Sequence, residues 1–176
     1  MTRSTTPRRR TTLAVAMAVV ALLAAGCTST ANAEGSDEPA QAATFAGGTT
    51  TFGQTFTYPN GLVIEVKKPV TYTPTETAEG LEGLEGEPVK VRINIINGSS
   101  VDYTPDKLGV TIESDGEQAV QIIDPGALIE ATGPGQPLGR SGVVAFDLAF
   151  VVKDPADITL TLVPALGGYD ALVLTS

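Results

Sequence analysis

The chain has 176 residues, with 11 Lys and Arg against 20 Asp and Glu, a single Cys, and neither His nor Trp. The lack of His excludes a Ser–His–Asp or Cys–His catalytic site and any histidine-ligated metal, and a single Cys excludes an intrachain disulfide. The net charge of −9 argues against nucleic acid as a partner, because binding a phosphate backbone needs a basic face.

The first 26 residues have the pattern of a lipoprotein signal peptide. Four Arg within the first ten residues precede an apolar run from Leu13 to Ala25. A membrane-spanning helix needs about 20 apolar residues, so this shorter run fits the apolar region of a secretory signal instead. Thr11 and Thr12 stand where a twin-arginine signal has apolar residues. The pattern therefore favours the general secretory route and leaves the twin-arginine route as the alternative.

Cys27 follows the apolar run and is the only Cys of the chain. The stretch Leu23-Ala24-Ala25-Gly26-Cys27 resembles a bacterial lipobox. The resemblance implies that the Cys27 thiol receives a diacylglyceryl group and that cleavage makes Cys27 the new N-terminus. Two acyl chains anchor a protein stably, whereas one chain holds it only marginally. We therefore expect a lipid anchor on the extracytoplasmic face of the cell membrane; the alternative is a plain signal peptide and an unmodified Cys27.

The chain after the signal is more acidic than the whole. Residues 27–176 hold 7 Lys and Arg and 20 Asp and Glu, a formal charge of −13 (7 − 20), and they contain neither Met nor His. Copper and haem sites that use Met or His as ligands are therefore excluded, and we expect no cofactor. Residues 27–50 are rich in Thr, Ser, Ala and Gly without periodicity, which predicts a lipidated N-terminus and flexible tether.

Residues 51–176 alternate apolar and polar side chains with the period of two that indicates β-strands. The predicted strands lie within 52–58, 62–66, 89–95, 108–112, 119–123, 143–152, 158–162 and 172–174, with a short edge piece in 69–73. Asn60-Gly61 and Asp115-Gly116 predict tight hairpin turns. The fold class is therefore all-β, an immunoglobulin-like antiparallel β-sandwich of about eight strands without the disulfide of antibody domains. A small barrel is the alternative.

The layout of residues 50–176 resembles the actinobacterial lipoproteins that carry an immunoglobulin-like domain of unknown function, distantly similar to a secreted mycobacterial immunogenic antigen. The matching segments are Gly53–Tyr58 before Asn60-Gly61, Lys68-Pro69 before Tyr72, Val89–Asn97 before Gly98-Ser99, Gly139–Phe150, and Asp154-Pro155 to Leu162. These are fold motifs, so the resemblance implies an immunoglobulin-like domain and supplies no functional residues.

Five carboxylates crowd the segment 73–88, which contains a repeated Leu-Glu-Gly. They are Glu76, Glu79, Glu82, Glu85 and Glu87. Such oxygen ligands suit Ca²⁺, and such a charge suits a basic partner. The alternative is a solvated loop between two strands, since EF-hand loops place Asp or Asn at alternating positions. Residues 124–142 form a second long loop, either a binding rim or a plain connection.

Two polar residues in strand-like segments have structural explanations. Asn97-Gly98-Ser99 matches the N-glycosylation sequon, but behind a bacterial signal we interpret it as a turn. Asp147 alternates with Phe146 and Leu148, which predicts that its side chain faces solvent.

We predict a membrane-anchored extracytoplasmic lipoprotein whose domain is an interaction module and not an enzyme, with the lipid membrane and a protein as partners. An alternative is a cation- or small-solute-binding lipoprotein that uses the acidic 76–87 loop. A hydrolase acting through two carboxylates is a third class. The sequence contains neither Ser-x-x-Lys nor Gly-x-Ser-x-Gly, and no residue is predicted to be catalytic.

Overall fold

The described part of the chain consists of eleven β-strands joined by turns and loops. The computed structural model describes residues 44–81, 83–166 and 168–175. The strands are β1 (Gly48–Thr51), β2 (Thr55–Thr57), β3 (Leu62–Val66), β4 (Val70–Thr71), β5 (Glu87–Asn97), β6 (Gly109–Ser114), β7 (Glu117–Gln118), β8 (Val120–Ile122), β9 (Val143–Val152), β10 (Ile158–Val163) and β11 (Leu172–Thr175). Two short 3-10 turns lie at Pro105–Lys107 and Pro125–Ala127. Within the described ranges, no helix has the length and apolar character needed to cross a membrane.

The strands form two sheets. A five-stranded sheet has the order β1-β11-β10-β6-β7, and a six-stranded sheet has the order β2-β3-β5-β9-β8 with β4 also paired to β5. β1 pairs with β11 in parallel, whereas the other pairs are antiparallel. The long β5–β9 pair runs from Glu87 opposite Val152 to Ile96 opposite Val143. The predicted immunoglobulin-like β-sandwich is confirmed, and the small barrel is wrong.

Apolar side chains from both sheets fill the space between them. Val91, Ile93 and Ile95 of β5 are fully buried, as are Leu160 and Leu162 of β10 in the facing sheet. Full burial of one such side chain contributes about 1.5–3 kcal/mol. Because strand side chains point alternately to the two faces, the same alternation that predicts the strands also builds this core.

The folded domain begins before the predicted boundary at residue 51. β1 starts at Gly48, and Phe45 forms a parallel bridge with Tyr169, their ring centroids 5.2 Å apart. The tether prediction for 27–50 is therefore wrong for its last residues. β1 is an edge strand of Gly and Thr with half-exposed side chains, so it lacks the apolar alternation that marks the other strands.

The remaining N-terminal predictions are untested. The signal peptide over residues 1–26, the lipidation site Cys27 and the tether up to residue 43 lie outside the described residues.

Both predicted hairpin turns are present. Gly61, with a φ of +93°, closes the turn between β2 and β3, and the side-chain oxygen of Asn60 accepts a hydrogen bond from the backbone N–H of Leu62. Asp115 and Gly116 have φ angles of +52° and +72° between β6 and β7, the left-handed pair that a tight type I′ hairpin requires.

The chain passes from one sheet to the other at the start of two predicted strands, 52–58 and 119–123. The segment 52–58 is a turn at Gly53 followed by the short β2. Past the hairpin, β7 pairs with β6 in one sheet, while β8 pairs with β9 in the other. The chain thus changes sheet at Ala119. β1 and β7, which lie just before the two crossings, are short strands that the sequence pattern did not predict.

Candidate functional site

Side chains alternate along β5 between the core and the outer face of the six-stranded sheet. Alternate residues from Val89 to Ile95 are buried, whereas Lys90, Arg92 and Asn94 lie on the outer face. The strand register places Arg92 opposite Asp147 of β9. Opposite residues on one face of an antiparallel pair are close enough to interact, so this face brings charged groups together in the middle of the sheet.

Asp147 is the acidic centre of this cluster. The Nε of Arg92 donates to its Oδ1 at 3.0 Å, and the Nζ of Lys90 lies 3.8 Å from its Oδ2. Only 17% of the Asp147 side chain is exposed. The prediction that Asp147 faces solvent is correct for the direction of the side chain, but its carboxylate is half-buried between two cations, which the sequence pattern did not indicate.

A second carboxylate lies on the same outer face, on β3 at the other side of β5. Glu65 of β3 accepts hydrogen bonds from the Nδ2 of Asn94 at 2.9 Å and from the Nζ of Lys67. The hydrogen bond from Lys67, followed by that from Asn94, holds the pKa of Glu65 below its usual range. Glu65 therefore stays ionised and fixes the position of Lys67 at the end of β3.

Four cations gather around an open groove on this face, which we call the basic groove. It has a volume of about 280 Å³ and is lined by Lys67, Lys68, Val70, Lys90, Arg92 and Asp147. The Lys and Arg that follow residue 26 are Lys67, Lys68, Lys90, Arg92, Lys107, Arg140 and Lys153. Four of these seven cations thus line one groove of a strongly acidic chain.

The two long loops cover another part of the same outer face. Ile122 and Ile129 are fully buried with Ala149 and Val151 of β9, and Tyr72, Ala78 and Leu81 pack against them. This second apolar cluster lies on the side of β9 opposite the main core. Ala78 and Leu81 of segment 73–88 and Ile129 of segment 124–142 therefore pack on the sheet, whereas most of the other described residues of both segments are exposed.

A buried carboxylate ties the two loops together. Asp124 is fully buried, and its side chain accepts hydrogen bonds from the backbone N–H of Thr75 at 2.8 Å, from the Thr75 hydroxyl and from the Thr77 hydroxyl at 3.4 Å. Burial favours the neutral acid, but the donors, chiefly Thr75, outweigh it and lower the pKa of Asp124. The ionised Asp124 thus acts as a clasp between the loops.

The predicted acidic cluster does not converge within the described residues. Glu76 and Glu85 are exposed, Glu79 pairs through its backbone with the residue after β8, and Glu87 begins β5. Glu82 lies outside the described residues. In the part of the chain that the structure describes, no three Asp, Glu or Cys residues are grouped to hold a metal ion. The cation-binding hypothesis for the whole segment stays a prediction.

The sequon residues form a buried turn, as the sequence interpretation has it. The Nδ2 of Asn97 donates to the carbonyl oxygens of Val101 at 2.8 Å and Leu138 at 2.7 Å. Its Oδ1 accepts from the Ser99 hydroxyl at 2.6 Å. All the polar atoms of the amide are engaged, so Asn97 holds the 99–101 segment against the second long loop.

Sequence reasoning identified the acidic segment and missed the basic groove. The sequence shows Lys67-Lys68 after one strand and Lys90 and Arg92 on one face of another. Only the β3–β5 pairing, which sets Val66 opposite Ile93, brings the two pairs together. An excess of like charge on the solvent face of neighbouring strands is the signal that could have found the groove.

These features define an immunoglobulin-like β-sandwich with a charged outer face, and solved structures share the fold. The yjhA protein of Bacillus subtilis is similar with a TM-score of 0.56 and 12% identity, over 71% of this chain and 97% of the other. MPT63, a secreted protein from Mycobacterium tuberculosis, is similar with a TM-score of 0.51 and 14% identity, over 73% of this chain and 96% of the other. No protein-family model and no curated protein sequence matches the chain.

At these identities the likeness shows the fold alone. It confirms at that level the predicted distant similarity to a secreted mycobacterial protein.

Proposed function

We propose that the chain is a lipid-anchored extracytoplasmic lipoprotein whose immunoglobulin-like sandwich is a non-enzymatic binding module. The observation that carries the proposal is the basic groove, which concentrates four cations in a chain with a formal charge of −13 after residue 26. The Arg-rich signal and the lipobox at Cys27 support the location.

The two outer faces of the sandwich differ in a way that favours one of them for binding. The face of the five-stranded sheet presents Thr111, Thr159 and Thr161 together with the single carboxylate of Glu113 on β6. The face of the six-stranded sheet presents fixed charges around Asp147. Complementary charge gives specificity and speeds encounter, so we assign binding to the six-stranded face.

Substitution of Cys27 tests the anchor. In cells that express the full chain, Cys27→Ser removes the thiol that would receive the diacylglyceryl group, so the protein should leave the membrane fraction. Fractionation with detection by antibody measures the change. A matched control is Ser29→Ala, which alters a neighbouring residue and leaves the thiol in place.

Two results decide whether Cys27 anchors the chain to the membrane. Membrane retention of the Ser29→Ala chain together with release of the Cys27→Ser chain supports the proposal. Retention, after a high-salt wash, of a Cys27→Ser chain from which residues 1–26 have been removed would overturn the anchor, because neither a covalent lipid nor the apolar run of the signal could then account for the attachment.

A further inference from the structure

We propose that the basic groove binds a phosphate group. The inference rests on the proposed function, since it names the ligand class of the binding face. Lys68, Lys90 and Arg92 supply the donors, and Val70, with 55% of its surface exposed, forms an apolar wall beside them.

The charge of the groove matches a phosphate ester. Its four cations stand against two carboxylates on the same face, those of Glu65 and Asp147, which leaves a surplus of two positive charges (4 − 2). A phosphate monoester carries about −1.5 to −2 at neutral pH. A neutral ligand would gain nothing from this surplus, and a cation would be repelled by it.

The side chains of Lys68, Lys90 and Arg92 keep N–H donors that are free to bind a ligand. In the part of the chain that the structure describes, Lys68 has no ion pair. The Nζ of Lys90 is 3.8 Å from Asp147, which is too far for a hydrogen bond. Arg92 commits its Nε to Asp147 at 3.0 Å and holds its Nη2 at 3.5 Å from the same carboxylate. A guanidinium has five N–H donors, so N–H groups of Arg92 beyond those directed at Asp147 remain for a ligand.

The groove also has a rigid floor. Lys90 and Arg92 stand on β5, which is paired along its length with β9, and Val70 of β4 pairs directly with Lys90. The carboxylate of Asp147 orients the guanidinium from one side. Donors held by paired strands and by a neighbouring carboxylate lose little freedom when a ligand binds.

The phosphate has two chemical sources. A chain anchored through Cys27 would lie beside a bilayer whose lipid headgroups carry phosphate, and soluble phosphate esters present the same oxygens. Both would use the same three cationic side chains, so one set of variants serves to test either source.

Binding is tested on the mature chain, residues 27–176, with Cys27→Ser. Inorganic phosphate and glycerol phosphate are added at constant ionic strength, and amide chemical shifts are followed by NMR. We expect saturable shifts at residues 67–70 and 90–92. Lys68→Gln and Lys90→Gln should each weaken binding by about tenfold, the effect of losing one charge-assisted hydrogen bond. The matched controls Lys107→Gln and Lys153→Gln remove the same charge elsewhere and should change the affinity by less than about twofold.

A second arm distinguishes the sources. Sedimentation with vesicles of phosphatidylglycerol and phosphatidylcholine is compared with sedimentation with vesicles of phosphatidylcholine alone. Preference for the anionic vesicles that Lys68→Gln abolishes assigns the groove to lipid headgroups, whereas binding of soluble phosphate without that preference assigns it to a phosphate ester.

The proposal is overturned if neither phosphate probe gives saturable shifts in the groove and the chain shows no preference for the anionic vesicles, or if the control substitutions weaken binding as much as the groove substitutions. Either result would leave the anchored binding module intact, because membrane release by Cys27→Ser is measured independently.

Discussion

At the scale of single residues, the hydroxyl of Tyr72 is a buried polar group with no hydrogen-bond partner in the described part of the chain. Its burial, with a contribution from Asp124, raises the pKa of Tyr72. Removing an unsatisfied buried hydroxyl relieves a desolvation cost of about 1–3 kcal/mol. We therefore expect Tyr72→Phe to raise the free energy of unfolding by about 1 kcal/mol, measured by urea denaturation.

Tyr103 is the matched control for this prediction. Its hydroxyl donates to the carbonyl oxygen of Pro164 at 3.0 Å in a buried environment, so Tyr103→Phe should lower the free energy of unfolding by about 1 kcal/mol. Equal losses in both variants would show that the Tyr72 hydroxyl has a partner after all.

The sequence could place some residues on a face but could not name their partners. Alternation puts Asp147 on the outer face of β9, which the structure bears out. Its partner Arg92 lies 55 positions earlier in the chain, and only the register of β5 against β9 brings them together. Local pattern therefore predicts direction, whereas pairing depends on the long-range order of strands.

At the scale of elements, the two long loops hold together through Asp124. The hydrogen bonds to the Asp124 carboxylate lower its pKa in the folded chain below the ordinary 3.8. The ionised carboxylate therefore stabilises the fold at pH values above the pKa that Asp124 has in the unfolded chain. That effect is lost as the pH falls through the folded pKa. Asp124→Asn should therefore destabilise the protein most at neutral pH and progressively less in acid.

Urea denaturation over a pH series from neutral to below 3.8 measures this difference. Hydrogen exchange should show lost protection at residues 75–81 and 124–129, where the clasp acts. The exposed carboxylate of Glu130 offers the control, since Glu130→Gln should change stability little at any pH. A difference between wild type and Asp124→Asn that stays constant or grows in acid would contradict the role assigned to the carboxylate.

Strands and loops differed in how well the sequence predicted them. β9 matches its predicted range of 143–152, and both hairpins form at the predicted Asn-Gly and Asp-Gly pairs, because local backbone preferences decide these elements. The loops were not predicted to pack on the sheet. Their contacts with Ala149 and Val151 follow from tertiary arrangement, and Gly and Glu in their sequence favour the solvated interpretation.

At the scale of the whole molecule, the excess of negative charge opposes the compact state. Residues 44–176 hold 17 Asp and Glu against 7 Lys and Arg, a balance of −10. The described residues form four ion pairs, and each pair includes at least one exposed side chain. An exposed ion pair contributes about 0–1 kcal/mol. The attraction within these four pairs therefore does not offset the repulsion among the excess acidic groups.

Sodium chloride should therefore stabilise this protein. Screening of the repulsion acts on all the acidic groups, whereas weakening of the ion pairs acts on few. We expect Tm to rise by a few degrees between low and physiological ionic strength, since about 1 kcal/mol shifts Tm by roughly 3–6 °C in a domain of this size. Calorimetry measures the change, and the double variant Glu113→Gln with Glu130→Gln, which lowers the negative charge by two, should show a smaller rise. A Tm that falls with salt would mean that the charges around Asp147, despite their small number, dominate the electrostatic free energy of the fold.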